Sequence, residues 1–316
     1  MSGPVTRAVI LAAGLGLRLR PLTLLRPKPL LPVLDRPILH FWLDRLARAG
    51  VGHVAVNAHH LRDQIEAALD GARGIWPRLR LDLSAEPEIL GTGGGIRRAA
   101  GLLFPDGPPR GQCLYVVNAD IFSDLSLQAL ASDHLSHPGR PATLALVDRP
   151  ERATVGLDGE GRIVSLREPR PGPGETRRLC GAGIMVMSAF FLDFLSEGFS
   201  DVVESLRLWL AQGLPPPGGH LLSGAGWADI GSPPEFLALN RELARGRVLV
   251  QDPGPIRGRL SGFVVAEAGA RVGEGASVED SVLLASARVG RGASVSQAIV
   301  AGPVPAGARA QGGIWA

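Results

Sequence analysis

The chain has 316 residues, 45% hydrophobic and 20% charged, with 42 glycines and 26 prolines, an ordinary composition for a soluble globular protein with many turns and one large or two smaller domains. A formal net charge of +3 without a basic block, and a single tyrosine, argue against nucleic-acid recognition by charge and stacking, and no apolar run reaches the roughly 18 residues of a membrane span. Cys113 and Cys180 lie in the apolar runs CLYVV and LCGAGIMV, which reads as two reduced core residues rather than a disulfide framework or a metal site. The opening MSGPVTRAVILAAG lacks a charged start and a cleavage pattern, so a cytoplasmic protein with no membrane partner is expected.

In chain order, the first strand is predicted over RAVILA, followed by a helix around ILHFWLDRLARAG, a strand HVAVNA, a helix around LRDQIEAAL and a strand RLRLDLS. A further helix leads to CLYVVNAD, then a helix around LSLQALASDHL and a strand TLALV. Short apolar strands alternating with helices predict an open α/β fold with a Rossmann-like mixed, mostly parallel sheet covered on both faces. Ligands of such sheets bind at the carboxyl ends of strands, which directs attention to LAAGLGLRLRP and VNAD. Beyond residue 150, GLDGEGRIVSL reads as a hairpin, GAGIMVM as a strand, and FFLDFL, DVVESLRLWLAQG and PPEFLALNRELARG as helices. From Gly262 small residues alternate with aliphatics about every six positions, at Val272, Val278, Leu284, Val289 and Val295 with one slip between 284 and 289. A short period of this kind predicts a stacked parallel β-helix that buries one aliphatic per turn.

The loop AAGLGLRLRPLTLLRPKPLLPV is the richest stretch. Gly14 and Gly16 let backbone N–H groups approach an anion, and Arg18, Arg20 and Lys28 add positive charge. Lys28 is the only lysine among the 33 Lys and Arg residues, and a compact ammonium differs most from a guanidinium fork where it must sit among phosphate oxygens. The dinucleotide pattern G-x-G-x-x-G fails at Leu19, and no G-K-[ST] of a P-loop occurs.

The run G-x-G-x-R-x-x-P-L-T followed by P-K-P-L-L-P-V resembles the signature of the sugar-nucleotide pyrophosphorylases, the nucleotidyltransferases that join a nucleoside triphosphate to a sugar 1-phosphate. AEPEILGTGGGI (85–96), VVNADIFSD (116–124), GAGIMVM (181–187) and GWADIGSPPEFLALN (226–240) follow in the family's order. The resemblance implies a nucleotidyltransferase domain over 1–246 and a left-handed β-helix over 247–316, as in some guanylyltransferases acting on mannose 1-phosphate. The tail is then a packing or homo-oligomerisation module. An acyltransferase role does not fit, because the last histidine, His220, precedes the repeats.

The same resemblance implies that Ala12, Ala13, Gly14, Gly16 and Arg18 hold the triphosphate and that Lys28 lies between its α-phosphate and the sugar phosphate. It implies Mg²⁺ on Asp120 and Asp229, both of which also face the sugar, with Asp124 left as a helix cap. It places Glu86 and Gly91 at the base, Asn57 and Thr92 also at the nucleotide, and Gly183 and Glu168 at the sugar. A carboxylate accepts hydrogen bonds only, so Glu86 suits the N1 and N2 donors of guanine, and GTP with mannose 1-phosphate is the expected pair. The E-x-E-x-x-x-T-G-G-G run, with Asn57 in VNAHHL, also resembles uridylyltransferases acting on N-acetylmuramate 1-phosphate, which keeps UTP open. His59 and His60 read as helix-start or surface residues. Many relatives carry Glu-Lys-Pro before GAGI, whereas SLREPRPG has Pro169 at the lysine position, so either Arg167 or Arg170 substitutes or the chain belongs with relatives that lack the lysine altogether. A catalytically silent sugar-nucleotide sensor is the alternative of a different class.

Overall fold

The computed structural model describes residues 4–109 and 111–316. They divide into two compact units, the first containing the chain up to Gly14 and Trp42–Trp227, the second Leu15–Phe41 and Ala228–Ala316.

The first unit is built on a nine-stranded sheet. Its centre is β1 (Arg7–Leu11), β2 (His53–Ala58), β3 (Arg80–Ala85) and β4 (Cys113–Asn118), in the order β4-β1-β2-β3 and all parallel. The inner strands are apolar runs because helices cover both faces of a parallel sheet. RLDLSA of β3 alternates polar with apolar and forms the edge. The sheet is mixed and mostly parallel, as expected, and its antiparallel part lies beyond β4. The strand β8 (Arg177–Ser188) runs antiparallel to β4, and it also pairs antiparallel with β5 (Ala142–Val147) and β6 (Val155–Leu157). The sheet closes with β7 (Ile163–Leu166) beside β6, the predicted hairpin, and with β9 (Gly218–Leu221) parallel to β5.

The helices are α1 (Ile38–Arg48), α2 (Arg62–Ile75), α3 (Gly91–Leu103), α4 (Leu127–Leu135), α5 (Val202–Ala211) and α6 (Pro233–Ala244). The segment FFLDFL, expected as a helix, is a 3-10 turn over Ala189–Phe194 that buries Phe191 and Leu192. Asp124 does not cap α4. Ser126, directly before the first helical residue, accepts from Ala129 N at 3.1 Å, while Asp124 accepts from Gly226 N at 2.7 Å. A cap must sit one residue before the helix, and Asp124 is separated from Leu127 by Leu125 and Ser126. Large aromatics of this core have satisfied polar tips: Trp42 Nε1 donates to Ile121 O at 2.7 Å and the Tyr115 hydroxyl to Leu127 O at 3.0 Å. Burial pushes the Tyr115 phenol up to about 12. Cys180 is buried, whereas Cys113 is only partly so, and neither is in a disulfide.

The second unit contains α6, the segment 15–41 and three ladders of short parallel strands. One ladder runs β10 (Val248–Val250), β11 (Arg259–Ala266), β13 (Ser277–Leu283), β15 (Ser294–Ser296) and β18 (Arg309–Gln311). A second runs β12 (Arg271–Val272), β14 (Arg288–Val289) and β17 (Pro303–Val304), and a third continues from β13 through β16 (Ile299–Val300) to β19 (Ile314–Trp315). Val272 lies beside Val289, 17 residues on, and Val289 beside Val304, 15 residues on. The slip between Leu284 and Val289 therefore falls in the 17-residue repeat, and the repeat after it is shorter still. All five predicted aliphatics are at most 3% exposed.

Candidate active site

Parallel register aligns the carboxyl ends of β1, β2 and β3, since Leu11 pairs with Asn57 and Asn57 with Ser84. Asn57, 2% exposed, uses both ends of its amide. Its Oδ1 accepts from Ala12 N at 2.6 Å, which requires Nδ2 to face the Glu86 carboxylate, and it donates to Oε1 at 2.6 Å. Leu90 N donates to the other Glu86 oxygen at 3.1 Å, and His59 Nδ1 lies 2.8 Å from Glu86 O. A buried network in which each group is satisfied is rigid. Through Asn57 it fixes the first loop, Ala12 to Gly14, against the segment that opens with Glu86. His59 is therefore part of this cluster, while His60 lies in the turn before α2.

The glycines of GTGGGI answer to packing. Gly91 has φ +69, and a Cβ there would stand 2.4 Å from Ser200 O. Gly93 N donates to Ser200 O at 2.8 Å and Ser200 N to Leu90 O at 3.0 Å, so the start of α3 is clasped by the 198–200 backbone. Gly95 faces the network, where a Cβ would lie 2.6 Å from Asn57 Nδ2. The Thr92 hydroxyl accepts from Val202 N at 2.9 Å and donates to Asp201 Oδ2 at 3.4 Å.

Beyond β4, Ala119 N donates to Leu11 O at 3.0 Å, which brings the backbone leading to half-buried Asp120 beside β1. The strand β8 pairs with β5 at Gly181 and Leu146, then again at Met185 and Leu144, so four residues on one strand span two on the other. Such a bulge opens the ladder. The opening is a cavity of about 220 Å³ lined by Gly183, Asn118, Thr92, Thr154, Arg167 and Asp201 over an apolar floor that includes Leu144, Val155 and Met185. Glu168 is not brought to it, since its Oε1 accepts from Arg207 Nη1 at 3.0 Å. Sequence pattern marks Asp201 only as a helix start, in D-V-V-E, and does not separate Asn118 from its neighbour Asp120.

In the second unit, Lys28 opens a 3-10 turn after Pro27 (φ −65, ψ 143) and is 7% exposed. Its Nζ lies 3.4 Å from Asp229 Oδ1, while Arg18 Nη2 lies 3.4 Å from Oδ2. A buried ammonium needs a partner, and the Asp229 carboxylate lies against both the Lys28 ammonium and the Arg18 guanidinium. Arg18 is 62% exposed and presents its charge outward. Gly16 adopts φ +60, with its carbonyl accepting from the Thr23 hydroxyl at 3.0 Å, and a Cβ there would lie 2.7 Å from Thr23 Cγ2. The glycine is what lets the turn close over the lysine segment. Among the described residues, no cluster of three or more His, Cys, Asp or Glu is placed to hold a metal ion, and no helix is long and apolar enough to cross a membrane.

A family model described as nucleotidyl transferase matches residues 7–246. The mannose-1-phosphate guanylyltransferase of Mycobacterium tuberculosis is 31% identical over 298 residues, covering 87% of this chain and 79% of that protein. The catalytic subunit beta of mannose-1-phosphate guanylyltransferase from Drosophila melanogaster is 29% identical over 290 residues (86% and 72%), and a probable mannose-1-phosphate guanylyltransferase 2 from Arabidopsis thaliana 29% over 294 (87% and 76%). The chain belongs to the nucleotidyl transferase family, among its sugar-nucleotide pyrophosphorylases.

Proposed function

We propose that this protein is an active guanylyltransferase that joins GTP and mannose 1-phosphate, releasing pyrophosphate. The observation that carries the reading is the shielded Lys28, held with Arg18 on Asp229 in a glycine-turned loop. A phosphate oxygen of the sugar 1-phosphate attacks the α-phosphorus of the triphosphate in line, the new P–O bond forms as the bond to the β-phosphate oxygen breaks, and pyrophosphate leaves. Both reactants are polyanions, so positioning and cationic stabilisation of the transition state are the main contributions a protein can make. Arg18 holds the leaving phosphates, Lys28 bridges the α-phosphate and the sugar phosphate, and the Ala12 to Gly16 backbone cradles the triphosphate. No side-chain nucleophile is required.

Glu86, with two of its lone-pair positions committed to Asn57 and Leu90 N, keeps acceptor capacity for the N1 and N2 donors of guanine. Gly91 and Thr92 border that base site, and Gly183 the sugar. The relatives named above are guanylyltransferases, so the UTP-dependent alternative is not favoured. A silent sensor is not favoured either, because Arg18, Lys28, Asp120 and Asp229 are all present. Asp120 and Asp229 offer the hard carboxylate oxygens that Mg²⁺ takes alongside phosphates and water, and when bound the ion would neutralise phosphate charge.

We read the tail beyond 246 as a left-handed β-helix that packs or self-associates, supported by its parallel registers, its buried aliphatics and a family match that stops at 246. A cytoplasmic location accords with the sequence. The deciding experiment is a pyrophosphate-release screen of all nucleoside triphosphates against a set of sugar 1-phosphates with Mg²⁺. GTP with mannose 1-phosphate is expected to lead, and no release from any pair would overturn the reading.

A further inference from the structure

The cavity at the β8 bulge has an arginine on its rim whose chemistry differs from that of the missing lysine. Arg167 leaves β7 with φ 55, a conformation that side-chain-bearing residues adopt at a cost, and its N–H donates to Thr154 O at 2.7 Å. Its Nη1 and Nη2 donate to the two oxygens of Asp201 at 2.9 and 3.3 Å. Asp201 is itself pinned, accepting from Val203 N and Glu204 N at the start of α5 and from the Thr92 hydroxyl. Those five donors fill the roughly four lone-pair sites of a carboxylate. Asp201 thus orients the guanidinium and has nothing left for a ligand, whereas Arg167 has committed two of its five N–H donors.

The surrounding charge decides what the remaining donors can take. Arg167 and Arg207 are met by Asp201, Glu168 and Glu204, each ion-paired to one of them, so the cluster has one more carboxylate than guanidinium. A phosphate or a sugar carboxylate is repelled by that balance. A neutral hydroxyl is not, and the apolar floor of Leu144, Val155 and Met185 suits the C–H face of a sugar ring. Arg170 is not on the cavity wall and contributes its carbonyl to Arg178 Nη2 at 3.0 Å.

We propose that Arg167, aligned by Asp201, is the specificity-determining contact that donates hydrogen bonds to ring hydroxyls of a neutral sugar, and that neither Arg167 nor Arg170 replaces the phosphate-binding lysine of relatives. The inference rests on the transferase reading, with this cavity receiving the sugar. Sugars bearing a carboxylate are disfavoured substrates on the same grounds.

The test is steady-state kinetics of Arg167→Gln and Arg167→Lys with mannose 1-phosphate and a set of its monodeoxy analogues. Loss of a charged hydrogen bond to a hydroxyl is expected to raise the KM for mannose 1-phosphate by about 10- to 100-fold, with the KM for GTP within about twofold, the usual scatter of contacts that are not made. One deoxy analogue should already be that much weaker with the wild type and lose little more in the variants. A loss spread equally over every analogue identifies a phosphate contact and overturns the proposal, as does an unchanged KM. If the wild type turns over no pair, the transferase reading fails by itself, and calorimetric titration of mannose 1-phosphate still decides the inference. Weaker binding to both variants upholds it, and equal binding, or none to the wild type, sinks it. The lysine variant covers the case in which the glutamine variant does not fold.

Discussion

Two alanine substitutions in α3 set helix propensity against the buried network. Glycine to alanine in a helix interior is worth up to about 1 kcal/mol in favour of the folded state. At Gly101 a Cβ meets nothing within 4 Å, so Gly101→Ala should gain most of that. At Gly95 the new Cβ would lie 2.6 Å from Asn57 Nδ2 and 2.9 Å from Glu86 Oε1, two atoms bonded to each other at 2.6 Å. They must part. Breaking a hydrogen bond to a charged group costs about 1.5–3 kcal/mol, more so where water cannot replace it, and the propensity gain offsets about 1 of that. Gly95→Ala is therefore expected to destabilise by about 0.5–2 kcal/mol, moving the thermal midpoint down where Gly101→Ala moves it up, at about 2–4 °C per kcal/mol for a domain of this size. Because Asn57 also holds Ala12 N, the KM for the nucleoside triphosphate should rise for Gly95→Ala alone. Urea and thermal unfolding with parallel kinetics check both. If Gly95→Ala were as stable as Gly101→Ala and bound nucleotide normally, the buried network would have no energetic standing.

Lys28→Arg should lower kcat about 100-fold or more, the scale of losing one aligned transition-state donor, while the unfolding midpoint stays near that of the wild type. His134 accounts for a pH dependence of stability: burial first, then the Arg140 charge, lowers its pKa from 6.5 to about 4, and its ring nitrogens lie 3.0 Å from the Thr143 and Ser188 hydroxyls. The unfolded chain binds this proton more readily, so stability should fall as pH drops from about 6.5 to about 4, by roughly 3 kcal/mol at the lower end. His134→Gln should flatten that slope in denaturant titrations across the window. Chelation of divalent cations with EDTA should abolish pyrophosphate release and added Mg²⁺ restore it, with Asp120→Asn and Asp229→Asn each needing more Mg²⁺ for half-maximal rate.

Elements that carry their own period were legible. The strands RAVIL, HVAVNA and CLYVVN are apolar because helices bury both faces, and the tail's aliphatics recur because each repeat buries one. Strand direction was not legible in GAGIMVM, since an apolar run reads alike either way and the reversal follows from how the β6–β7 hairpin returns the chain to the sheet. Capping was misassigned at Asp124 because Asp124 and Ser126 both suit a cap and only backbone geometry separates them. Within the site, composition drew attention to Lys28, the only lysine, and the family resemblance to Asn57. Asp201 clamps Thr92 from 109 residues away and Arg167 from 34, separations at which no local pattern operates.

The second unit joins the loop bearing Gly16, Arg18 and Lys28 to the repeat tail rather than to the strand it follows. Arg26 Nη1 meets Glu267 Oε1 at 2.5 Å, Gln251 Nε2 donates to Asp35 O at 2.5 Å, and fully buried Asn240 holds Leu34 N at 2.8 Å. A fragment cut after residue 246 would keep every side chain assigned a chemical task and still remove the partners of Arg26 and Asp35 that brace those tasks. It should therefore lose phosphate handling before it loses nucleotide recognition by the Asn57 and Glu86 network. By the same linkage, anything that grips the repeats, including a second copy of the chain, can retune the loop without touching a reacting group.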